Sequence, residues 1–157
     1  MTNAQQQWGN AVSGMNFTSS NYANANVIAY AGTRADFIEF ARDFYNLNYQ
    51  NNFAGLARFA PRVSAGTANF GGANRNIFQF ANNSQSVMFV ASTHANGTNR
   101  TSAQIRNTTL HELGHVMGYA GHSSSSTDVM GSSATSIQTL TPRDIGHLRQ
   151  VYAQFRP

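Results

Sequence analysis

The amino-acid sequence predicts one α+β domain that combines four helices with a small mixed sheet of about four strands. Three observations support this class. Apolar residues recur at helical spacing near both ends of the chain, short β-branched and aromatic runs lie between them, and histidines four residues apart indicate a further helix. The chain has 157 residues, which is long enough for a single domain to bury its own core.

The N-terminal third is predicted to contain two helices with a strand between them. Residues 2–15 place apolar side chains at spacings of three and four, as in a helix with one buried stripe. Residues 26–31 predict a buried strand. Residues 33–47 predict a second helix, with Thr33 as N-cap and Asp36 three positions later. We expect its apolar stripe to be core; the stripe consists of Phe37, Phe40, Ala41, Phe44 and Leu47.

The middle of the chain predicts three further strands. Residues 56–63 resemble a strand that Pro61 interrupts, which favours a sheet edge or a bulge. Residues 77–80 and 87–91 are rich in β-branched and aromatic side chains, and the polar segment 82–85 separates them. We therefore expect these two strands to pair as a hairpin.

Two helices are predicted in the C-terminal third. The first begins within residues 101–106 and carries the histidines, and a serine-rich loop follows it. The second begins at Thr141-Pro-Arg-Asp144, which supplies an N-cap, a proline in the first turn and an early acid. Its apolar stripe continues to Tyr152.

The segment His111-Glu-Leu-Gly-His115 has the spacing of a metal site. Histidines four apart on a helix lie roughly 40° apart around its axis, so both imidazoles can reach one ion. Glu112 projects to the side, where it borders an open position and can act on a bound water. Gly118 permits a sharp turn that can return His122 to the ion as a third ligand.

Composition excludes several other kinds of site. Cysteine is absent, so neither disulfides nor thiolate ligands are available. The ten basic residues are all arginine and are scattered along the chain, whereas nucleic-acid binding requires a patch or stripe. No apolar run approaches the ~20 residues that span a bilayer. We expect no nucleic-acid partner, no membrane segment and a monomer.

The chain contains no lysine, and only 10% of its residues are charged. A low-charge surface that arose by drift in a secreted protein is the simpler interpretation. The alternative hypothesis is a toxin or effector domain that enters a host cytosol, where lysine is the ubiquitin acceptor. In either case we expect the protein to be secreted, and the expected location is extracellular unless the domain is delivered into a host.

The sequence resembles the metzincin metallopeptidases, which include matrix metalloproteinases and serralysins. The resemblance rests on the residues from His111 to Gly118, on Asp128-Val-Met130, and on the segment from Leu140 to Tyr152. It implies a zincin fold in which residues 1–157 form one catalytic domain. An upper subdomain of about residues 1–118 would hold the sheet, backing helix and active-site helix, and a lower subdomain of about 119–157 the Met-turn and terminal helix.

The resemblance assigns Met130 to the Met-turn, an apolar floor beneath the zinc histidines. The usual spacing puts the third ligand at Gly121, which has no ligand atom, so His122 must reach the ion across one additional residue. Three other residues are alternatives for the third ligand: His94, Asp128 and His147. Ser132 stands where serralysins carry a tyrosine, so that additional ligand is expected to be missing. If Trp8 belongs to the first helix of the family, the usual first strand is missing as well, which leaves about four strands.

These observations together predict a zinc-dependent endopeptidase. His111, His115 and His122 would hold one Zn²⁺, and Glu112 would activate the metal-bound water that hydrolyses the peptide bond. A protein or peptide substrate would lie extended along an edge strand, for which residues 87–91 are the first candidate. The alternatives are a metal-binding or protein-binding zincin module without hydrolytic activity, and a basic binding module.

Overall fold

The computed structural model describes residues 2–12, 15–50, 52–70, 72–81, 84–133 and 136–153. It confirms the α+β class. In chain order the elements are α1 (Thr2–Ala11), β1 (Val27–Gly32), α2 (Arg34–Tyr45), β2 (Gly55–Arg58), β3 (Arg62–Phe70), β4 (Ala73–Phe80), β5 (Ser86–Ala91), α3 (Ser102–Val116) and α4 (Pro142–Ala153).

The main sheet has three strands in the order β1-β5-β2. β1 runs parallel to β5, with Val27 opposite Ser86, and β2 runs antiparallel to it, with Gly55 opposite Val90. β5 is therefore the central strand, and all six of its residues are buried.

The prediction that residues 87–91 form a sheet edge and pair with residues 77–80 is wrong. β5 has neighbours on both sides, so its backbone has no open edge for a substrate. The physical reason is visible in its composition, since apolar side chains without polar alternation are typical of a strand that is buried on both faces. The polar segment 82–85 therefore connects strands of two different sheets, and its residues 82 and 83 lie outside the described part.

β3 and β4 pair antiparallel with each other as a separate two-stranded sheet, with a bulge between Ser64 and Gly66. The strand expected at residues 56–63 is divided, because β2 ends at Arg58 and β3 begins after Pro61. The described chain thus has five strands in two sheets, whereas about four strands in one sheet were predicted.

α2 and α4 begin at the predicted caps, and α3 begins within the predicted range of residues 101–106. Thr33 and Asp36 form a capping box at α2, and Thr101 and Gln104 form one at α3. At α4 the Thr141 hydroxyl accepts a hydrogen bond from the Asp144 N–H at 3.2 Å. α1 ends at residue 11, four residues before the predicted end.

β5 separates two clusters of apolar side chains. On one face, Phe89 packs against aromatic residues of α2, including Phe37. On the other face, Met88 and Val90 pack with residues of α1, α3 and α4. The predicted aromatic stripe is therefore core, except for Phe44, which is 72% exposed. This packing fixes α3 against the sheet and beside β2.

In the described part of the chain, no helix combines the length and the apolar character needed to cross a membrane.

Candidate metal centre

Two of the three predicted ligands lie on the last turns of α3. The Nε2 atoms of His111 and His115 are 3.1 Å apart, and their rings meet edge to face. This is the geometry expected of positions i and i+4 on one helix face.

The third histidine arrives from the turn that follows α3. Gly118 has φ of 111°, its N–H donates to His115 O at 2.8 Å, and Tyr119 N–H donates to Gly114 O at 3.1 Å. Gly121 has φ of 72° and absorbs the additional residue. His122 Nε2 lies 3.4 Å from His115 Nε2, so the chain returns to the helix as the sequence suggested.

The alternative third ligands have other surroundings. The Asp128 carboxylate accepts hydrogen bonds from Ser123 and Thr141, and His147 stacks on the Tyr119 ring. Among the described residues, the one group of three or more potential metal ligands is His111, His115 and His122, whose ligand atoms lie within 4.8 Å of one another.

Backbone carbonyls orient the two helical imidazoles. The Nδ1 atom of His111 lies 2.7 Å from Val129 O, and that of His115 lies 2.8 Å from Tyr119 O. With Nδ1–H donating to a carbonyl, Nε2 keeps its lone pair free for a metal. Burial lowers the pKa of His111 to about 4 and also lowers that of His115. Both rings are therefore neutral near pH 7, as metal ligation requires.

The donor set fits a tetrahedral zinc ion. A Zn–N bond of about 2.05 Å implies ligand nitrogens about 3.3 Å apart in a tetrahedral site. The Nε2 separations of 3.1 and 3.4 Å bracket this value. Three imidazoles and no thiolate are also the ligand type of catalytic zinc sites that keep one open position.

Met130 is fully buried beneath α3. A Cβ atom added to Gly114 would lie only 2.6 Å from Met130 Sδ, so the thioether occupies the space left by this glycine. The buried Asp144 carboxylate accepts hydrogen bonds from the N–H groups of Val129 and Met130, at 3.0 and 3.1 Å. The Met130 turn is thus tied to the start of α4, and its Val129 carbonyl in turn holds His111.

The Glu112 side chain lies against the start of β2, and only 6% of the residue is exposed. A Cβ atom added to Gly55 would lie 2.5 Å from Glu112 Oε1, so this glycine makes room for the carboxyl group. Burial raises the pKa of Glu112 to about 8. A carboxyl group with such a pKa can accept and release a proton near neutral pH.

The three histidines and Glu112 line one cleft of about 420 Å³. The opposite wall of the cleft is formed by residues 53 and 54, by residues 55–57 of β2, and by Phe59. Thr108 also lines it, and its hydroxyl is buried without a hydrogen-bond partner among the described residues.

Sequence reasoning missed Gly55 and Thr108. Only the interruption at Pro61 indicated that an edge strand lies near residue 56. Thr108 precedes Glu112 by one helical turn, which is the only signal that places it on the cleft side of α3.

The comparisons with known proteins agree with this arrangement. The family model described as matrixin (peptidase M10) matches residues 1–153. No curated protein and no solved structure gives a significant match. Three observations support one conclusion: the histidine cluster, the turn that contains Met130, and the match of the family model to nearly the whole chain. The chain belongs to the matrixin family of zinc-dependent metallopeptidases.

Proposed function

We propose that the protein is a zinc-dependent endopeptidase in which His111, His115 and His122 hold the zinc ion and Glu112 is the catalytic base. The observation that carries this proposal is the convergence of three Nε2 atoms beside a buried carboxyl group in one cleft. Zinc bound there would polarise the scissile carbonyl and lower the pKa of a water molecule.

The residues of the chain account for the proton transfers. Glu112 accepts a proton from the attacking water and delivers it to the leaving amine nitrogen. His111 and His115 remain neutral because burial disfavours their charged forms. Their Nδ1 hydrogen bonds hold the rings in one orientation.

We propose that the substrate lies along β2 rather than along β5. Among the described residues β2 pairs only with β5, so its other edge can hydrogen-bond an extended peptide. Residues 55–57 of this strand line the same cleft as Glu112. Gly131 and Ser132, which follow the Met130 turn, also line this cleft.

The test compares Glu112→Gln with the wild-type protein in hydrolysis of casein and of internally quenched peptides. Glutamine retains the shape of the side chain but cannot take up a proton, so we expect a loss of kcat/KM of roughly a thousandfold or more. Zinc content, measured by atomic absorption, should remain one ion per chain. Glu39→Gln is the matched control, because Glu39 is the only other glutamate and lies exposed on α2.

Two results would contradict the proposal. Wild-type protein that holds zinc but cleaves none of these substrates would favour the binding module without hydrolysis. Glu112→Gln protein with wild-type turnover would remove Glu112 from the mechanism.

A further inference from the structure

Thr108 lies in the wall of the metal cleft, one helical turn before Glu112 on α3. Only 3% of the residue is exposed, and its Oγ1 atom is buried without a hydrogen-bond partner among the described residues. Of the buried and half-buried residues that the structure describes in this wall, Thr108 alone has a side-chain atom in that condition. A buried hydroxyl without a hydrogen bond is destabilising, so its presence beside the site requires an explanation.

The adjacent residue, Thr109, shows what a threonine hydroxyl usually does in a helix. Its hydroxyl donates to Ile105 O, four residues earlier, at 2.8 Å. Thr108 has the equivalent carbonyl at Gln104 within the same helix but makes no such bond. The helix therefore offers the Thr108 hydroxyl a partner, and the hydroxyl does not use it.

The distance between Thr108 and Glu112 determines which part of a substrate Thr108 meets. Four residues of α-helix rise about 6 Å along the axis. A Cβ atom added to Gly55 would lie 2.5 Å from Glu112 Oε1 and 2.7 Å from Thr108 Cγ2, so the two side chains are neighbours in the cleft wall. If Glu112 acts at the cleaved bond, Thr108 meets the substrate side chain next to that bond.

The hydroxyl of Thr108 can turn toward a bound group. Its methyl carbon, Cγ2, is the atom of the residue that lies nearest to Gly55 on the cleft wall. Rotation about the Cα–Cβ bond exchanges the methyl and hydroxyl positions, and a threonine in a helix is not restricted to one rotamer. A substrate group that offers a hydrogen bond therefore favours the rotamer in which the hydroxyl faces it.

We propose that Thr108 is a specificity-determining residue, whose hydroxyl selects a neutral carboxamide side chain, asparagine or glutamine, beside the cleaved bond. This assignment rests on the proposed peptidase function. A carboxamide can both donate to a hydroxyl and accept from it. No arginine lines the cleft, so an acidic side chain would enter it without a counter-charge. A leucine side chain, similar in shape to asparagine, would leave the hydroxyl unpaired, and such a site discriminates against the substrate that lacks the polar group.

The test measures kcat/KM for internally quenched peptides in which one residue on either side of the cleaved bond is Asn, Gln, Leu, Asp or Lys. We expect wild type to cleave the better carboxamide peptide roughly tenfold faster than the matching Leu peptide. Thr108→Val keeps the shape but removes the hydroxyl, so it should cleave the Leu peptide faster than the Asn peptide. Thr108→Ser keeps the hydroxyl and should keep the preference. Thr109→Val is the matched control, because Thr109 does not line the cleft and its loss should leave the preference unchanged.

Thermal unfolding supplies a measurement that does not depend on catalysis. Thr108→Val removes a buried hydroxyl without a partner, so its unfolding temperature should rise by roughly 2–4 °C. Thr109→Val loses a hydrogen bond and should show no such rise. An unfolding temperature of Thr108→Val at or below that of wild type would contradict the unpaired state of the hydroxyl and overturn the assignment.

The peptide series separates the failure of this assignment from the failure of the proposed function. If wild type cleaves the peptides without a carboxamide preference, cleaves the Asp or Lys peptide fastest, or shares its preference with Thr108→Val, the assignment alone is overturned. If zinc-loaded wild type cleaves none of them, the peptidase function is contradicted and the assignment is overturned with it.

Discussion

Gly55 sets the position of the proposed catalytic base. A Cβ atom at this residue would lie 2.5 Å from Oε1 of Glu112 and 2.7 Å from Cγ2 of Thr108. We therefore predict that Gly55→Ala displaces the Glu112 carboxyl group and lowers kcat/KM by about a hundredfold, the scale expected when a catalytic group moves by about 1 Å. Peptide hydrolysis measured at equal zinc occupancy checks this prediction.

The matched control is Gly146→Ala on α4, where an added Cβ atom meets nothing within 4 Å. Alanine within a helix is about 0.5–1 kcal/mol more favourable than glycine, so this variant should be slightly more stable and equally active. Equal activity of the Gly55→Ala variant and the wild type would show that the close approach to Glu112 has no catalytic consequence.

His111 makes the stability of the metal-free protein depend on pH. Burial lowers the pKa of His111 to about 4 in the folded protein. In the unfolded chain its pKa is the ordinary value of about 6.5. Between these values the unfolded state carries more protons, so the free energy of unfolding should fall as the pH falls, by up to about 3 kcal/mol. Burial lowers the pKa of His115 as well and acts in the same direction.

Urea unfolding of chelator-treated protein at several pH values from about 7.5 to about 4.5 tests this dependence. His111→Gln removes the titrating ring and should flatten the profile. A wild-type profile with no slope in this range, or one identical to that of the variant, would contradict the account.

At the scale of the element, α4 supports the metal site through the buried carboxylate of Asp144. This group accepts hydrogen bonds from the N–H groups of Val129, Met130 and Thr141. Asp144→Asn replaces one acceptor oxygen with a donor, so we predict a loss of about 2–3 kcal/mol of stability. Zinc binding should weaken roughly tenfold, because Val129 O orients His111.

Denaturant unfolding and zinc titration of the Asp144→Asn variant measure both effects. Asp43→Asn serves as the control, since Asp43 is exposed and pairs only with its neighbour Arg42 among the described residues. Such an exposed pair contributes little to stability, because solvent screens it. Equal stability of the two variants would contradict the role assigned to Asp144.

The helices could be predicted from sequence better than the strand pairing. Each of α2, α3 and α4 begins with a threonine whose hydroxyl accepts a hydrogen bond from the backbone N–H three residues later: Thr33, Thr101 and Thr141. Because such caps involve neighbouring residues only, they can be predicted from the sequence. Strand partners depend on contacts far apart in the chain. β5 pairs with β1, about 60 residues earlier, and nothing within residues 86–91 specifies this partner.

At the scale of the whole molecule, the candidate site joins parts of the chain with different degrees of predictability. The i, i+4 spacing of His111 and His115 and the position of Glu112 follow from helix geometry alone. The approach of His122 depends on the left-handed conformations of Gly118 and Gly121, which the sequence permits but does not require. Gly55 reaches Glu112 only through the tertiary packing of β2 against α3, which no local pattern encodes.

The zinc affinity of His122→Ala tests the central claim most directly, because this histidine completes the proposed ligand set from outside the helix. His94→Ala is the matched control, since His94 neither lines the metal cleft nor belongs to the histidine cluster. The account predicts that His122→Ala binds zinc at least a hundredfold more weakly, on the order expected for loss of one of three protein ligands, while His94→Ala binds it like the wild type. Full zinc occupancy and wild-type peptide hydrolysis in His122→Ala would contradict the account.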